Sequence, residues 1–253
     1  MKTITFSKYS ETHKLFKYHG FRRSGNNAIS QWLMSMVDQP YWITNNNSAN
    51  LPLKMTKYNL VGEPPKSLTH KDKYVFKYGL MAYEDLELTK FTKLDLRHMS
   101  KDITHIYTLR DPYNMVASRL ELQNTANSKG RGITPGAFPT LKTRLGWWCE
   151  YAEDYLRCNS YSIGILYNSW VRSEEYRRSI SYILGLTYQD HTINTVTSEA
   201  GGSSFDRLNY QDKAGEMQTS ERWMKFKDNP DYINLFTPRV SRLADLIFNM
   251  KPF

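Results

Sequence analysis

The chain has 253 residues, and 34 Lys+Arg against 25 Asp+Glu leave a formal charge of +9. At 29.7 kDa, with 40% hydrophobic and 23% charged residues, it can bury a sizeable core and is neither a disordered polyelectrolyte nor a membrane-dissolved chain. No apolar run approaches the roughly 18 residues of a membrane helix, and a pI near 9.3 directs attention to anionic partners: nucleotide, nucleic acid, acidic glycan or membrane surface.

The opening MKTITFSKYSETHK is basic but lacks the apolar centre of a secretory signal. The two cysteines, Cys149 and Cys158, are nine residues apart. At about 100° per residue of helix they fall on opposite faces, which speaks against a mutual disulfide. With no CxxC and no His/Cys cluster at zinc spacing, the expectation is a metal-free, cytoplasmic protein in a reducing compartment.

Strand-like and helix-like runs alternate, without repeats or a dividing linker, and predict one α/β domain over 1–253 with a largely parallel sheet. The first strand is expected near 15–21. A helix follows from Asn26, its apolar residues Ala28, Ile29, Trp32, Leu33, Met36 and Val37 recurring on one face. Residues 45–72 lack periodicity and read as a long excursion, with a short strand at 74–78. A strand at 103–109 ends in Asp111-Pro112, the chemistry of a helix N-terminus. Next come a loop over 125–139, a helix over 141–158 and a strand at 161–167. A helix from Ser173 to Leu184 closes on Gly185 as its C-cap. Residues 187–215 read as loop, and helices are expected at 217–227 and 231–249.

Two strand ends carry chemistry. Gly20 and Gly25 bracket His19-Gly20-Phe21-Arg22-Arg23-Ser24-Gly25-Asn26-Asn27 with the G-x-x-x-x-G spacing of a phosphate loop, whose N–H groups wrap an anion at a helix N-terminus. Where a nucleotide triphosphatase needs Lys and a Mg²⁺-binding hydroxyl, this chain has Asn26 and Asn27. The charge lies inside the loop, at Arg22 and Arg23, which favours a metal-independent anion site over a P-loop kinase. The second strand end is Arg110, with Ser118 eight residues later. Arg110 emerges at the carboxyl edge where open α/β sheets bind ligands. Ser118 lies about 9 Å along the following helix, so both can grip one anion. Arg110 can instead pair with Asp111 or another carboxylate.

Together these segments resemble the sulfotransferases that use 3′-phosphoadenosine 5′-phosphosulfate (PAPS). Arg23-Ser24-Gly25-Asn26-Asn27 is similar to that family's basic-Ser-Gly-Thr-Thr loop, and Arg110-Asp111-Pro112 with Ser118 to its 3′-phosphate motif. Ile165-Leu166-Tyr167-Asn168-Ser169, followed by a helix ending Ile183-Leu184-Gly185-Leu186, resembles its strand-Tyr-Glu-Asp segment and Phe-Leu-Gly helix end. Glu221-Arg222-Trp223 resembles its late Trp helix. The resemblance implies a three-layer α/β/α fold with a central, mainly parallel sheet. It further implies metal-free, in-line transfer of a sulfuryl group from PAPS to a hydroxyl or amine, with PAP as product.

By the same resemblance Arg22, Arg23, Ser24, Gly25, Asn26, Asn27 and Ala28 would hold the 5′-phosphosulfate. Arg110 and Ser118 would hold the 3′-phosphate and Tyr167 would lie against adenine. Gly202, Ser203, Ser204 and Arg207 would complete the clamp. The family's Lys-Thr-His segment, which supplies its catalytic base, falls on Lys77-Tyr78-Gly79, where glycine replaces histidine. Lys77 would add charge near the sulfuryl group and Glu84 would serve as base, with His70 and His98 as alternatives and His19 and His105 as packing residues. The acceptor is left open among a glycan, a small alcohol or phenol, and a peptide. A non-catalytic nucleotide or polyanion binder is the competing class. Nucleic acid is disfavoured by the lack of a Lys/Arg stripe, and no membrane partner is expected.

Overall fold

Every side chain of the run Leu15-Phe16-Lys17-Tyr18-His19 is fully buried, which requires a strand covered on both faces. In the computed structural model this run belongs to β2 (Glu11–Gly20), which pairs in parallel with β6 (Val75–Glu84) on one side and β7 (Asp102–Leu109) on the other. The structure describes residues 4–5, 11–38, 41–47, 54–55, 57–59, 75–97, 99–128, 140–157, 162–196, 203, 205–206 and 208–253.

Outward from this centre, β3 (Tyr41–Asn47) pairs in parallel with β6, and β8 (Ser162–Leu166) in parallel with β7. The short β5 (Lys57–Asn59) closes the β3 edge antiparallel. The six-stranded order is therefore β5-β3-β6-β2-β7-β8. A separate antiparallel pair joins β1 (Ile4–Thr5) to β4 (Lys54–Met55).

The two-residue period of the strands sorts their side chains into two cores. Phe16, Tyr18, Leu80, Ala82 and Ile106 pack with Ile29, Trp32 and Leu33 of α1 (Asn26–Ser35). The same cluster takes Trp170 of α5 (Tyr167–Arg172) and Ile180 and Leu184 of α6 (Glu174–Leu184). On the other face Leu15, Met81, Tyr83, Tyr107 and Leu109 meet Phe91 of α2 (Leu88–Lys93) and Tyr113 and Val116 of α3 (Pro112–Ser128). Trp148 of α4 (Leu141–Leu156), Tyr232 of α7 (Pro230–Ile233) and Leu243 of α8 (Pro238–Phe248) complete that layer. Helices thus cover both faces of a mainly parallel sheet, the expected three-layer α/β/α arrangement.

Local chemistry explains where expected elements hold. Asp111 Oδ1 accepts the Asn114 N–H at 2.8 Å and starts α3. Ser173 Oγ accepts the Tyr176 N–H at 3.1 Å to start α6, and Gly185 ends it at φ +67°. Four expectations change. The strand expected at 74–78 continues to Glu84, because Leu80 through Tyr83 are buried between the helical layers. The excursion placed at 45–72 begins inside β3, whose Asn-rich end shows no apolar alternation and is ordered by pairing with β6. The helix placed at 231–249 is interrupted: Thr237 caps α8, with Pro238 in its first turn. That at 217–227 shrinks to a 3₁₀ segment, Arg222–Phe226.

No helix among the described residues is long and apolar enough to cross a membrane.

Candidate anion-binding site

Parallel pairing brings the carboxyl ends of three strands into line. Gly20 of β2 is in register with Glu84 of β6 and with Thr108 of β7, so the segments that follow each strand meet at one edge. This is the switch point of the sheet, where the chain has stepped outward from β2 in both directions.

The loop after β2 is tightly shaped. Arg23 and Gly25 adopt positive φ, 73° and 81°, and the Ser24 N–H bonds the Phe21 carbonyl at 3.1 Å. Gly25 stands at the N-cap of α1, directing that helix's N-terminus at the loop. A Cβ on Gly25 would overlap the Tyr167 ring, so the tyrosine packs directly against the loop backbone. A Cβ on Gly20 would overlap the Asn26 amide. Asn26 Nδ2 donates to the Phe21 carbonyl at 3.1 Å and to Glu84 Oε1 at 3.0 Å. Where the family pattern has threonine, this asparagine therefore joins the loop to the end of β6. Asn27 and Ala28 occupy the first turn of α1.

Arg110 follows β7 and is only 2% exposed. Its guanidinium donates to the Arg23 carbonyl at 2.7 Å and the Thr219 carbonyl at 2.5 Å, and lies 4.9 Å from the Tyr167 ring centre. It does not pair with Asp111, whose carboxylate caps α3 and accepts the Asn168 amide at 2.9 Å. Ser118, fully buried on α3, receives Arg23 Nε at 3.4 Å and an Arg222 guanidinium nitrogen at 3.4 Å. Arg222 also reaches Ser203 Oγ at 2.9 Å and Asp206 at 2.8 Å.

Two guanidinium groups, Arg23 and Arg222, thus converge on one buried serine, and Arg110 lies close enough for its charge to act on both. Burial, then the charges of Arg222 and Arg110, push Arg23 down to about 10, and burial with Arg110 lowers Arg222. Asp206, ion-paired with Arg222, and Glu84 near Arg23 offset part of this repulsion. Ser24 Oγ and Arg110 Nε are both buried and lack a hydrogen-bond partner among the described residues.

Glu84 lies beside the loop, its carboxylate receiving Asn26 and, at 3.2 Å, Arg22 Nε. Arg22 points toward Glu84 and is about half exposed. Lys77 is corrected. It sits seven residues before Glu84, about 23 Å back along the strand, and donates to Asp38 at 2.5 Å near the opposite edge. A match made on residue order placed it at the site, but the length of β6 takes it away.

His19 is fully buried, its Nε2 accepting the Leu86 N–H at 3.0 Å, and His105 lies in β7 in register with Lys17, so neither is presented to the loop. Trp170 is buried, packed against Trp32 and Tyr167. His70, His98, Gly202, Ser204 and Arg207 lie outside the described residues. Arg222, read in the sequence only as part of the late Trp helix, joins the cluster in the structure; it is about a hundred residues from Ser118, and nothing in that motif signals the contact. No grouping of three or more His, Cys, Asp or Glu suited to a metal occurs among the described residues.

The sequence matches no protein-family model and no curated protein. Among solved structures the chain is similar to mouse sulfotransferase SULT7A1 complexed with PAP, at 13% identity and a TM-score of 0.43, over 93% of this chain and 83% of that one. It is also similar to the sulfotransferase domain of the Synechococcus PCC 7002 olefin synthase, at 12% identity and a TM-score of 0.40, over 68% of this chain and 59% of that domain. A third likeness is to a sulfotransferase domain from the curacin biosynthetic pathway, at 13% and 0.40, over 66% and 62%.

Proposed function

We propose that the chain is a sulfotransferase that moves a sulfuryl group from PAPS to an acceptor hydroxyl or amine by direct in-line transfer without a metal. The observation that carries this reading is the buried convergence of Arg23 and Arg222 on Ser118, with Arg110 held at the Arg23 carbonyl, beside a loop that opens a helix. Mutual repulsion at such a site is relieved by an anion. Two groupings stand side by side, the loop with the α1 N-terminus and the Arg110–Ser118–Arg222 cluster. They suit a nucleotide with phosphate groups at two separate points. The unpartnered Ser24 Oγ and Arg110 Nε fit as donors to it.

In this reading Arg23, Ser24 and the N–H groups of Gly25, Asn26, Asn27 and Ala28 hold the 5′-phosphosulfate. Arg110, Ser118 and Arg222 hold the 3′-phosphate, with Ser203 and its neighbours Gly202, Ser204 and Arg207 closing that end. Tyr167 forms a wall of the nucleotide site. PAPS, when bound, supplies the activated sulfuryl group. The residues supply position and charge neutralisation on the leaving side, the tasks a protein performs in group transfers of this kind. Arg23 keeps its charge throughout, so it steadies the leaving oxygen without giving up a proton.

Glu84 is proposed as the base. Its two oxygens offer about four lone-pair positions, of which Asn26 and Arg22 take two, leaving room for an acceptor proton. The acceptor is a glycan, a small alcohol or phenol, or a peptide.

Calorimetry with adenosine 3′,5′-bisphosphate, against ATP with Mg²⁺ and a random oligonucleotide, tests the reading. Selective bisphosphate binding, weakened at least about tenfold in Arg110→Ala and in Arg222→Ala, is expected; loss of one charged hydrogen-bonding partner commonly costs that much. Binding of ATP with Mg²⁺ but not the bisphosphate overturns it. Transfer from labelled PAPS, slowed in Glu84→Gln, tests the base. Unchanged turnover in that variant removes Glu84 from the role.

A further inference from the structure

Beside the site, Asp85 occupies a position that neither the loop motif nor the Arg110 motif accounts for. It follows β6 directly and adopts φ +50°, a conformation that Asp and Asn tolerate and longer side chains resist. Its backbone N–H donates to the Gly20 carbonyl at 3.2 Å, at the start of the loop. Its Oδ1 accepts the Arg22 N–H at 3.0 Å, one residue before the left-handed Arg23. The same carboxylate takes a two-pronged ion pair from Arg119 of α3, the residue after Ser118, and approaches Arg144 Nε of α4 at 3.4 Å. The group is nearly buried, its side chain 10% exposed. Burial alone would raise its carboxyl, but the guanidinium groups of Arg119 and Arg144 outweigh it and hold the group below the usual range, so it is charged at neutral pH.

One side chain therefore ties together the loop backbone, the helix bearing Ser118 and the helix packed behind it. We infer that Asp85 is a positioning residue, whose carboxylate at a left-handed backbone position holds the Arg22–Arg23 peptide in the shape that binds the anion. This inference rests on the reading of the loop as the phosphosulfate site. Asp85 is not proposed to touch substrate. Arg119 and Arg144 anchor it, and the functional contact is the one to the Arg22 N–H.

Charge and geometry can be separated by two substitutions. Asp85→Asn keeps an oxygen acceptor of the same length and the tolerance of positive φ, but loses the ion pairs. Asp85→Glu keeps the charge but is one methylene too long and disfavours positive φ. A purely structural ion-pair role makes Asn the worse variant for both melting temperature and bisphosphate affinity. A positioning role makes the two orders cross. Asn then melts lower than Glu yet binds adenosine 3′,5′-bisphosphate within about threefold of wild type, while Glu binds at least about tenfold more weakly.

Amide hydrogen exchange of a peptide covering residues 21–25 gives a readout independent of ligand. Exchange is expected to be at least about fivefold faster in Asp85→Glu than in Asp85→Asn, with the 238–248 helix unchanged. Parallel orders of melting and affinity overturn the inference, as does equal loop exchange in the two variants. If wild type fails to bind the bisphosphate, the proposed function falls. The exchange comparison alone then decides whether Asp85 shapes the loop.

Discussion

Replacing Gly25 with alanine meets two independent obstacles. At φ +81° an L-residue pays roughly 1–2 kcal/mol for left-handed backbone. The new Cβ would also lie well under the 3.0 Å from Tyr167 that real Cβ atoms keep. Tyr167 is almost wholly buried between Gly25, Arg110 and Trp170, so its ring cannot swing into solvent, and forcing such a shift typically costs about 1–3 kcal/mol. The sum is about 2–5 kcal/mol. Gly185 supplies the control within the same chain. Its φ is +67°, but a Cβ there meets nothing within 4 Å, so only the backbone cost of roughly 1–2 kcal/mol applies. Urea denaturation of Gly25→Ala, Gly185→Ala and wild type should show Gly25→Ala the least stable by at least about 1 kcal/mol. The double variant Gly25→Ala/Tyr167→Ala should cost less than the two single changes added, because it removes the overlap. Bisphosphate affinity should fall in Gly25→Ala and stay unchanged in Gly185→Ala. Equal destabilisation by the two alanines, or additivity in the double variant, would refute the claim that the tyrosine is seated on the loop.

Burial pushes His19 down to about 3, so its folded form stays neutral while the unfolded chain takes up a proton below about 6.5. Stability is therefore undiminished above that value and lost as pH falls toward 3, by up to about 4–5 kcal/mol for this ring. Chemical denaturation across pH 4–7 should show a flatter slope in His19→Gln, and an imidazole signal from His19 titrating near 6.5 would contradict the burial argument. Lys77→Ala should leave bisphosphate affinity within about twofold, because Lys77 pairs with Asp38 well behind the loop; a tenfold loss on titration would return it to the site. Asp111→Ala removes the cap of α3 and a partner of Asn168, and should cost about 2–3 kcal/mol by thermal unfolding. A cost under about 0.5 kcal/mol would mean that water replaces those bonds without loss.

Features settled by near neighbours in the chain were legible as sequence. The Gly20–Asn27 loop, the Asp111-Pro112 helix start and the Ser173 and Gly185 caps each depend on φ preferences and hydrogen bonds spanning a few residues. The alternation of Leu15, Lys17 and His19 against Phe16 and Tyr18 likewise belongs to the strand, although which helices cover each face does not. Arg110 at a strand end and Ser118 on the following helix were readable because one helix geometry relates them.

The remainder was decided by tertiary structure, since it depends on strand lengths and on pairings across tens to hundreds of residues. The reach of β6 carried Lys77 away from the loop and brought Glu84 and Asp85 to it. Arg222 joined Ser118 from the far end of the chain, and Asp85 found Arg119 and Arg144 on separate helices. No local pattern encodes such meetings, because sheet register and helix packing, rather than spacing along the chain, set which charges share a buried volume. The sequence alone marked a candidate anion loop; the fold determined which charged side chains meet beside it, Arg222 at Ser118 and Asp85 at the Arg22 N–H.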